Sequence, residues 1–204
     1  MAGFDANHYR QSFLLNPGFN DAASYGVVIN GDDPRPGSYR CIGVHHLTPS
    51  ENAGNHHVYL DVLDEQGKRL TSARVGWTWE GKRDDESAPL IAMDKPASEP
   101  GGNIGLGMGQ VVQVWVSGVV SDNVSKLHTG HPDETEAGME YPGNTVGHHS
   151  FYVVFQRYSG AAPPTPPPSG DCAVYIARIA TLEGAVQAVS VTLAALLSRL
   201  DKVR

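Results

Sequence analysis

The sequence predicts a mainly β protein, in which an antiparallel β-sandwich is followed by a Pro-rich linker and a C-terminal coiled-coil α-helix. Three observations lead to this fold class. Between residues 38 and 159, short segments alternate apolar and polar side chains. Prolines then crowd residues 160–170, and from residue 172 onwards apolar side chains recur every three or four positions. We therefore divide the chain into residues 1–37, 38–159, 160–170 and 171–204.

Residues 1–37 are polar and rich in turn-forming residues. Asn16-Pro17-Gly18 and the Gly-, Asp- and Pro-rich residues 31–37 are typical turn sequences. Because such turns leave little apolar sequence for a core, we expect an extended N-terminal arm. One short apolar segment, residues 25–29, is expected to form an edge strand.

Residues 38–159 carry the strand patterns. Residues 39–44 and 57–64 alternate at period two, as half-buried strands do. Further strands are expected at 74–79, 89–93, 111–117 and 150–158, separated by Gly- and Pro-rich loops at 96–109 and 129–147. Because no amphipathic helix lies between these segments, we expect an antiparallel sandwich rather than alternating strands and helices.

Residues 160–170 contain five prolines. Proline lacks an N–H group and fixes φ near −65°, so this segment fits neither a sheet nor an α-helix. We expect a stiff polyproline-type linker with a rise of about 3.1 Å per residue.

Residues 171–204 carry an unbroken heptad pattern whose a and d positions begin at Cys172. A repeat of 3.5 residues drives left-handed supercoiling about partner chains, so we interpret this segment as an oligomerisation helix. The residues expected to pack between chains are Tyr175, Ile179, Leu182, Val186, Val189, Leu193, Leu196, Leu200 and Val203.

The positions beside this apolar stripe bear on the number of chains. Arg178 at g and Glu183 at the following e can pair between parallel helices. Ile176 and Leu197 would stay exposed in a dimer, whereas a wider bundle covers them. We therefore expect a parallel homotrimer or a higher oligomer. The alternative is a single helix packed on its own sandwich, which a stiff linker disfavours.

Charge and hydropathy argue against two kinds of partner. The net charge is −7 and no stripe of Lys and Arg is present, so we expect no nucleic-acid binding. The longest apolar run, residues 185–197, is too short for a bilayer of about 30 Å, so we expect no membrane span. Residues 1–10 lack the features of a signal peptide. We expect synthesis in the cytoplasm and a final place on a virion or an extracellular surface after release.

The nine histidines are the main candidates for metal binding. His128 and His131 lie among acidic residues, and such side chains ligate zinc when they converge on one point. The surrounding Gly and Pro residues argue against a helix that would place both imidazoles on one face. We expect structural hydrogen bonds and no cofactor, with a structural metal as the alternative. Adjacent histidines in a strand, such as His45 and His46, should point to opposite faces.

Aromatic residues form a candidate glycan site. Trp77 and Trp79 are two positions apart on an expected strand and so share a face, and Tyr59 and Trp115 are expected nearby. If exposed, these rings would stack sugar rings; if buried, they belong to the sandwich core. The sequence has no nucleophile elbow, phosphate-binding loop or dinucleotide fingerprint, so we expect no catalytic residues and no enzymatic activity.

Several motifs in residues 38–158 resemble the Ig-like β-sandwich modules of bacterial and phage cell-wall hydrolases and surface proteins. They are NHHVYLDVLD at 55–64, VGWTW at 75–79, DKP at 94–96, VWV at 114–116 and HHSFYV at 148–153. These motifs are structural, so the resemblance implies an Ig-like fold and transfers no functional residue. The order of arm, sandwich, linker and helix also resembles phage decoration and fibre proteins.

The leading hypothesis is a non-enzymatic, oligomeric structural or adhesion protein that displays Ig-like heads on a helical stem, as a phage decoration or fibre protein. Its expected partners are its own copies and a virion lattice or a cell-surface glycan, because several weak heads bind a repetitive surface by avidity. Two alternatives stay open. One is a glycan-binding module of a cell-wall-active system, and the other is a metal-dependent hydrolase that uses the His-rich loops.

Overall fold

The computed structural model describes residues 4–31, 35–107, 110–128 and 149–160. In these ranges the strands are β1 (Phe19–Asn20), β2 (Val28–Asn30), β3 (Tyr39–His46), β4 (His57–Leu63), β5 (Arg74–Trp79), β6 (Leu90–Ala92), β7 (Gly102–Gly105), β8 (Val111–Val116), β9 (Asn123–His128) and β10 (Phe151–Arg157). The helices are α1 (Ala6–Leu15), the 3-10 helix Asp21–Tyr25 and the one-turn α2 (Pro49–Asn52).

The strands build two five-stranded sheets. Sheet A has the order β1-β3-β10-β4-β7, and sheet B has the order β2-β9-β8-β5-β6. One cluster of buried side chains draws on both sheets, with Val44 and Phe155 from sheet A and Val114 and Leu127 from sheet B. The two sheets therefore pack face to face, and the predicted mainly β, two-sheet architecture is confirmed.

The prediction that all strands are antiparallel is wrong at two places in sheet A. Strand β10 runs parallel to β4, and β1 runs parallel to β3. The other ladders between the described strands are antiparallel, so sheet A is mixed. Period-two alternation reports which face of a strand is buried but not which strand lies beside it. The sequence pattern therefore could not show these pairings.

Most predicted strands are confirmed, and β5 has the predicted bounds. The strands that the sequence pattern missed are β1, β7 and β9. Strand β7 lies inside the predicted loop 96–109, because Gly102 and Gly105 at its ends remove the alternation of side chains. Strand β9 contains a bulge at which Lys126 has a φ of 62°, and this bulge breaks the period-two pattern.

The N-terminal segment is not the extended arm that we predicted for residues 1–37. Helix α1 packs on the outer face of sheet A, where Ala6 and Phe13 are buried with Tyr152 and Val154 of β10. Strand β2 then joins the edge of sheet B. Ala6 and Phe13 are the only fully buried residues of this helix, so its apolar stripe is short, and this weak pattern explains the wrong prediction.

Because α1 covers the outer face and sheet B covers the inner face, β10 is buried on both sides from Phe151 to Phe155. Sheet A therefore lies between two apolar clusters, and polar groups at its outer face are removed from water. No helix within the described ranges is long and apolar enough to cross a membrane.

Candidate functional site

His45 of β3 lies between two carboxylates where the N-terminal segment contacts sheet A. Its Nδ1 is 2.6 Å from Oδ2 of Asp21, and its Nε2 is 3.2 Å from Oε2 of Glu51. The ring stacks on Tyr9 with the centroids 3.9 Å apart. Because Tyr9 lies in α1, Asp21 in the 3-10 helix and Glu51 in α2, one imidazole joins all three helices to β3.

The two carboxylates make further hydrogen bonds in the same place. Oδ1 of Asp21 accepts the backbone N–H of His46 at 2.7 Å. Glu51 accepts the hydroxyl hydrogen of Tyr9 at 2.6 Å and the backbone N–H of Thr48 at 2.9 Å. The second of these bonds belongs to the capping box at the start of α2.

These contacts shift the pKa of each group. Burial lowers the pKa of His45, but its hydrogen bonds and attraction to Asp21 and Glu51 outweigh burial and raise the pKa above 6.5. Burial raises the pKa of Glu51, but the hydrogen bonds from Tyr9, Thr48 and His45 lower it to about 2. Both ring nitrogens of His45 are engaged, so this cluster joins elements of the fold and leaves no nitrogen for a substrate.

His46 points to the opposite face of β3, as predicted for adjacent histidines. Its Nε2 lies 2.7 Å from Nδ1 of His149, and its ring centroid is 3.8 Å from that of Tyr25. The ring centroid of His128 lies 6.1 Å from that of His149. At a nitrogen–nitrogen distance of 2.7 Å one ring must donate and the other accept, so this contact excludes two doubly protonated imidazoles.

The predicted metal pair is described only in part. Nε2 of His128 lies 3.4 Å from the backbone oxygen of Tyr25. His131 lies outside the described residues, so its pairing with His128 stays a prediction. Among the residues that the structure describes, no group of three or more His, Cys, Asp or Glu side chains could hold a metal ion.

Asp61 of β4 is a second buried charge, and the sequence pattern did not single it out. Its Oδ1 accepts hydrogen bonds from Nε of Arg69 at 2.5 Å and from the backbone N–H of Gly101 at 3.0 Å. Its Oδ2 accepts the hydroxyl hydrogen of Tyr152 at 2.5 Å and lies 3.1 Å from a terminal nitrogen of Arg10. The carboxylate has no exposed surface.

The buried Asp61 cluster connects α1, β4 and β10 with the loops around residues 69 and 101. The guanidinium of Arg69 also donates to the backbone oxygens of Lys95 at 3.1 Å and Pro96 at 2.9 Å. Burial raises the pKa of Tyr152 well above 10.0, and the charge of Asp61 adds to this effect. The only sequence signal for this cluster was a carboxylate inside an otherwise apolar strand.

The four aromatic residues of the predicted glycan platform lie in three different places. Trp77 and Trp79 share a face, as predicted, but they pack against the core between the sheets with ring centroids 5.2 Å apart. Trp115 stands opposite Gly76 and points to the outer face of sheet B. Tyr59 belongs to the second apolar cluster on sheet A. The fold therefore does not bring the four rings together.

The predicted oligomerisation residues, from Tyr175 to Val203, lie outside the described residues, as do residues 161–170 of the predicted linker.

Comparison with known proteins gives no match to a family model, a curated protein or a solved structure.

Proposed function

We propose that this chain is a non-enzymatic display protein that presents several β-sandwich heads on one helical stem. The segment 171–204 gathers the copies into a parallel homotrimer or a higher oligomer, and residues 160–170 space the stem from the heads. The head is of the Ig-like kind. A phage virion, with this chain as a decoration or fibre protein, is the proposed setting.

The observation that carries this proposal is that the buried carboxylates of the head are hydrogen-bonded and ion-paired to other parts of the same fold. The carboxylate of Asp61 takes part in two guanidinium contacts and two further hydrogen bonds. Asp122, which is 2% exposed, accepts hydrogen bonds from Arg40 and from the backbone of Cys41, both at 2.9 Å. Both carboxylates hold parts of the head together, and we count this structural use of the buried charges in favour of a display role.

The sequence supplies the second part of the support. An unbroken heptad pattern from Cys172 to Val203 is typical of chains that associate through their helices. Several heads held on one stem raise the effective concentration of each at a repetitive surface, so a weak contact per head suffices.

The native mass of the full chain and of a chain that ends at Gly160 tests this function. The full chain is expected at three or more times its 21.8 kDa, and the shortened chain is expected as a monomer. A full chain that is monomeric would contradict the proposal. A shortened chain that keeps the oligomeric order of the full chain would contradict it as well.

A further inference from the structure

The outer face of sheet B carries an aromatic ring that lies flat on a glycine. Trp115 of β8 stands opposite Gly76 of β5. A Cβ atom added to Gly76 would lie 2.8 Å from Cε2 of the indole, and 2.9 Å and 3.0 Å from its bonded neighbours Cζ2 and Nε1. Because the middle atom of these three is the nearest, the glycine lies under the face of the ring and not beyond its edge. A side chain at residue 76 would lift the indole from the sheet.

Uncharged polar side chains share this face with the ring. Asn123 of β9 stands opposite Trp115, and Asn30 of β2 stands opposite Asn123. One row further along the strands, Thr78 stands opposite Gln113. Since side chains alternate between the faces of a strand, all of these residues share the outer face with Trp115.

The shape and charge of this face indicate what it can bind. The row through Trp115 crosses the five strands of sheet B, or about 19 Å at about 4.8 Å per strand. Leu90, Gly76, Trp115, Asn123 and Asn30 form this row, which contains no formal charge. Arg74 of β5 shares the face one row away, and its guanidinium donates to the backbone oxygens of Thr71 and Ala73. In a chain of net charge −7, such a neutral strip fits a neutral partner better than a phosphate backbone or a basic peptide.

A sugar ring has the matching chemistry. One side of a pyranose presents C–H groups, which stack on the electron-rich face of an indole. Its hydroxyl groups both donate and accept hydrogen bonds, as do the amide of Gln113 and the hydroxyl of Thr78. A protein interface would instead need a continuous apolar centre. The exposed apolar residues Val28 of β2 and Leu90 of β6 lie at the two opposite edges of sheet B, apart from each other.

We propose that the outer face of sheet B, centred on Trp115, binds a neutral glycan chain. The indole stacks one sugar ring, while Asn30, Thr78 and Gln113 bond to hydroxyl groups along the face. This proposal deepens the display function and rests on it in one respect, because weak binding by a single open face becomes effective when several heads engage together.

Binding of the full chain to immobilised cellulose, chitin and mannan tests this proposal, with the anionic polysaccharide alginate for comparison. Trp115→Ala is expected to weaken binding to the neutral polysaccharide about ten-fold, because a stacking contact is lost. Gln113→Ala removes a polar group outside the core, so its effect on binding is separable from unfolding. The matched control is Gln66→Ala, which changes an exposed turn on the other sheet and should bind as the natural chain does.

The outcomes separate this proposal from the display function. Weaker binding by both face variants, with unchanged thermal unfolding of Gln113→Ala, supports it. Failure of the natural chain to bind any of the three neutral polysaccharides overturns it, and so does undiminished binding by both variants. A lower native mass of Trp115→Ala would assign the face to a second copy and would also overturn it. An oligomer that binds no glycan contradicts this proposal alone, whereas a monomer that binds one contradicts the display function alone.

Discussion

The ring of Phe13 in α1 lies directly on Gly43 in β3. A Cβ atom at residue 43 would lie 2.2 Å from Cγ of Phe13, which is closer than any non-bonded contact allows. Phe13 is 1% exposed and lies at the centre of the apolar cluster that holds the N-terminal helix on sheet A. The absence of a side chain at residue 43 therefore decides whether α1 can dock.

Gly43→Ala should lower the free energy of unfolding by about 1–3 kcal/mol, because Phe13 must leave its position. Urea unfolding of the full chain measures this loss. Gly105→Ala is the matched control, since it also lies in a strand but its Cβ atom would meet its nearest neighbour at an ordinary 3.7 Å. Equal stability of the two variants would refute this account of the α1 contact.

Asp61→Asn should destabilise the head by about 3 kcal/mol or more. The substitution keeps the volume of the side chain but leaves Arg10 and Arg69 facing a neutral amide in a buried place. Asp85→Asn removes one charge of a surface ion pair, in which the side chain of Asp85 is 66% exposed and that of Arg83 is 72% exposed. This substitution should cost less than about 1 kcal/mol. Urea unfolding of both variants compares the two, and similar losses would argue against a supporting role for Asp61.

His45 should make the stability of the head depend on pH. The pKa of His45 is raised in the folded state above 6.5, so the folded chain holds this proton more tightly than the unfolded chain does. Its contribution is therefore complete below pH 6.5 and is lost as the pH rises through the folded-state pKa. Two partners of the ring do not titrate in this window. The pKa of Glu51 is lowered to about 2, and burial and the hydrogen bond to Glu51 raise the pKa of Tyr9.

The measurement is the free energy of unfolding between pH 5 and pH 9 for the natural chain and for His45→Gln. The difference between the two should be largest at the acid end and should shrink towards the alkaline end. His8→Gln is a control at an exposed position of α1, and it should follow the natural chain. A difference that grows with rising pH would contradict the assigned ion pairs.

The strands that the sequence could predict are those with regular alternation. Residues 74–79 alternate without a glycine at either end or a bulge, and β5 has these bounds. In β9, Lys126 occupies the left-handed region and interrupts the alternation, so local pattern was insufficient there. The parallel pairing of β4 with β10 depends on contacts between distant parts of the chain, which periodicity within a strand does not report.

The candidate sites were less predictable than the strands. Histidines and tryptophans were predicted as site residues from their residue type alone. In the structure His45 forms ion pairs with carboxylates, and Trp77 packs against the core. Asp61 and its guanidinium partners come together only through the fold, because Arg10 and Arg69 lie on opposite sides of Asp61 in the chain. Trp115 lies flat on Gly76 because β5 pairs with β8, and the sequence pattern does not report this pairing.

The native mass of full-length variants tests whether the segment 171–204 gathers several heads into one particle. Leu193→Asp and Leu196→Asp together place charges at a and d positions, whereas Gln187→Asp and Ser198→Asp place the same number of charges at b and f positions of the same frame. We predict that the first pair yields monomers and that the second pair keeps the oligomer. Equal masses for the two pairs would contradict the claim that this heptad assembles the protein.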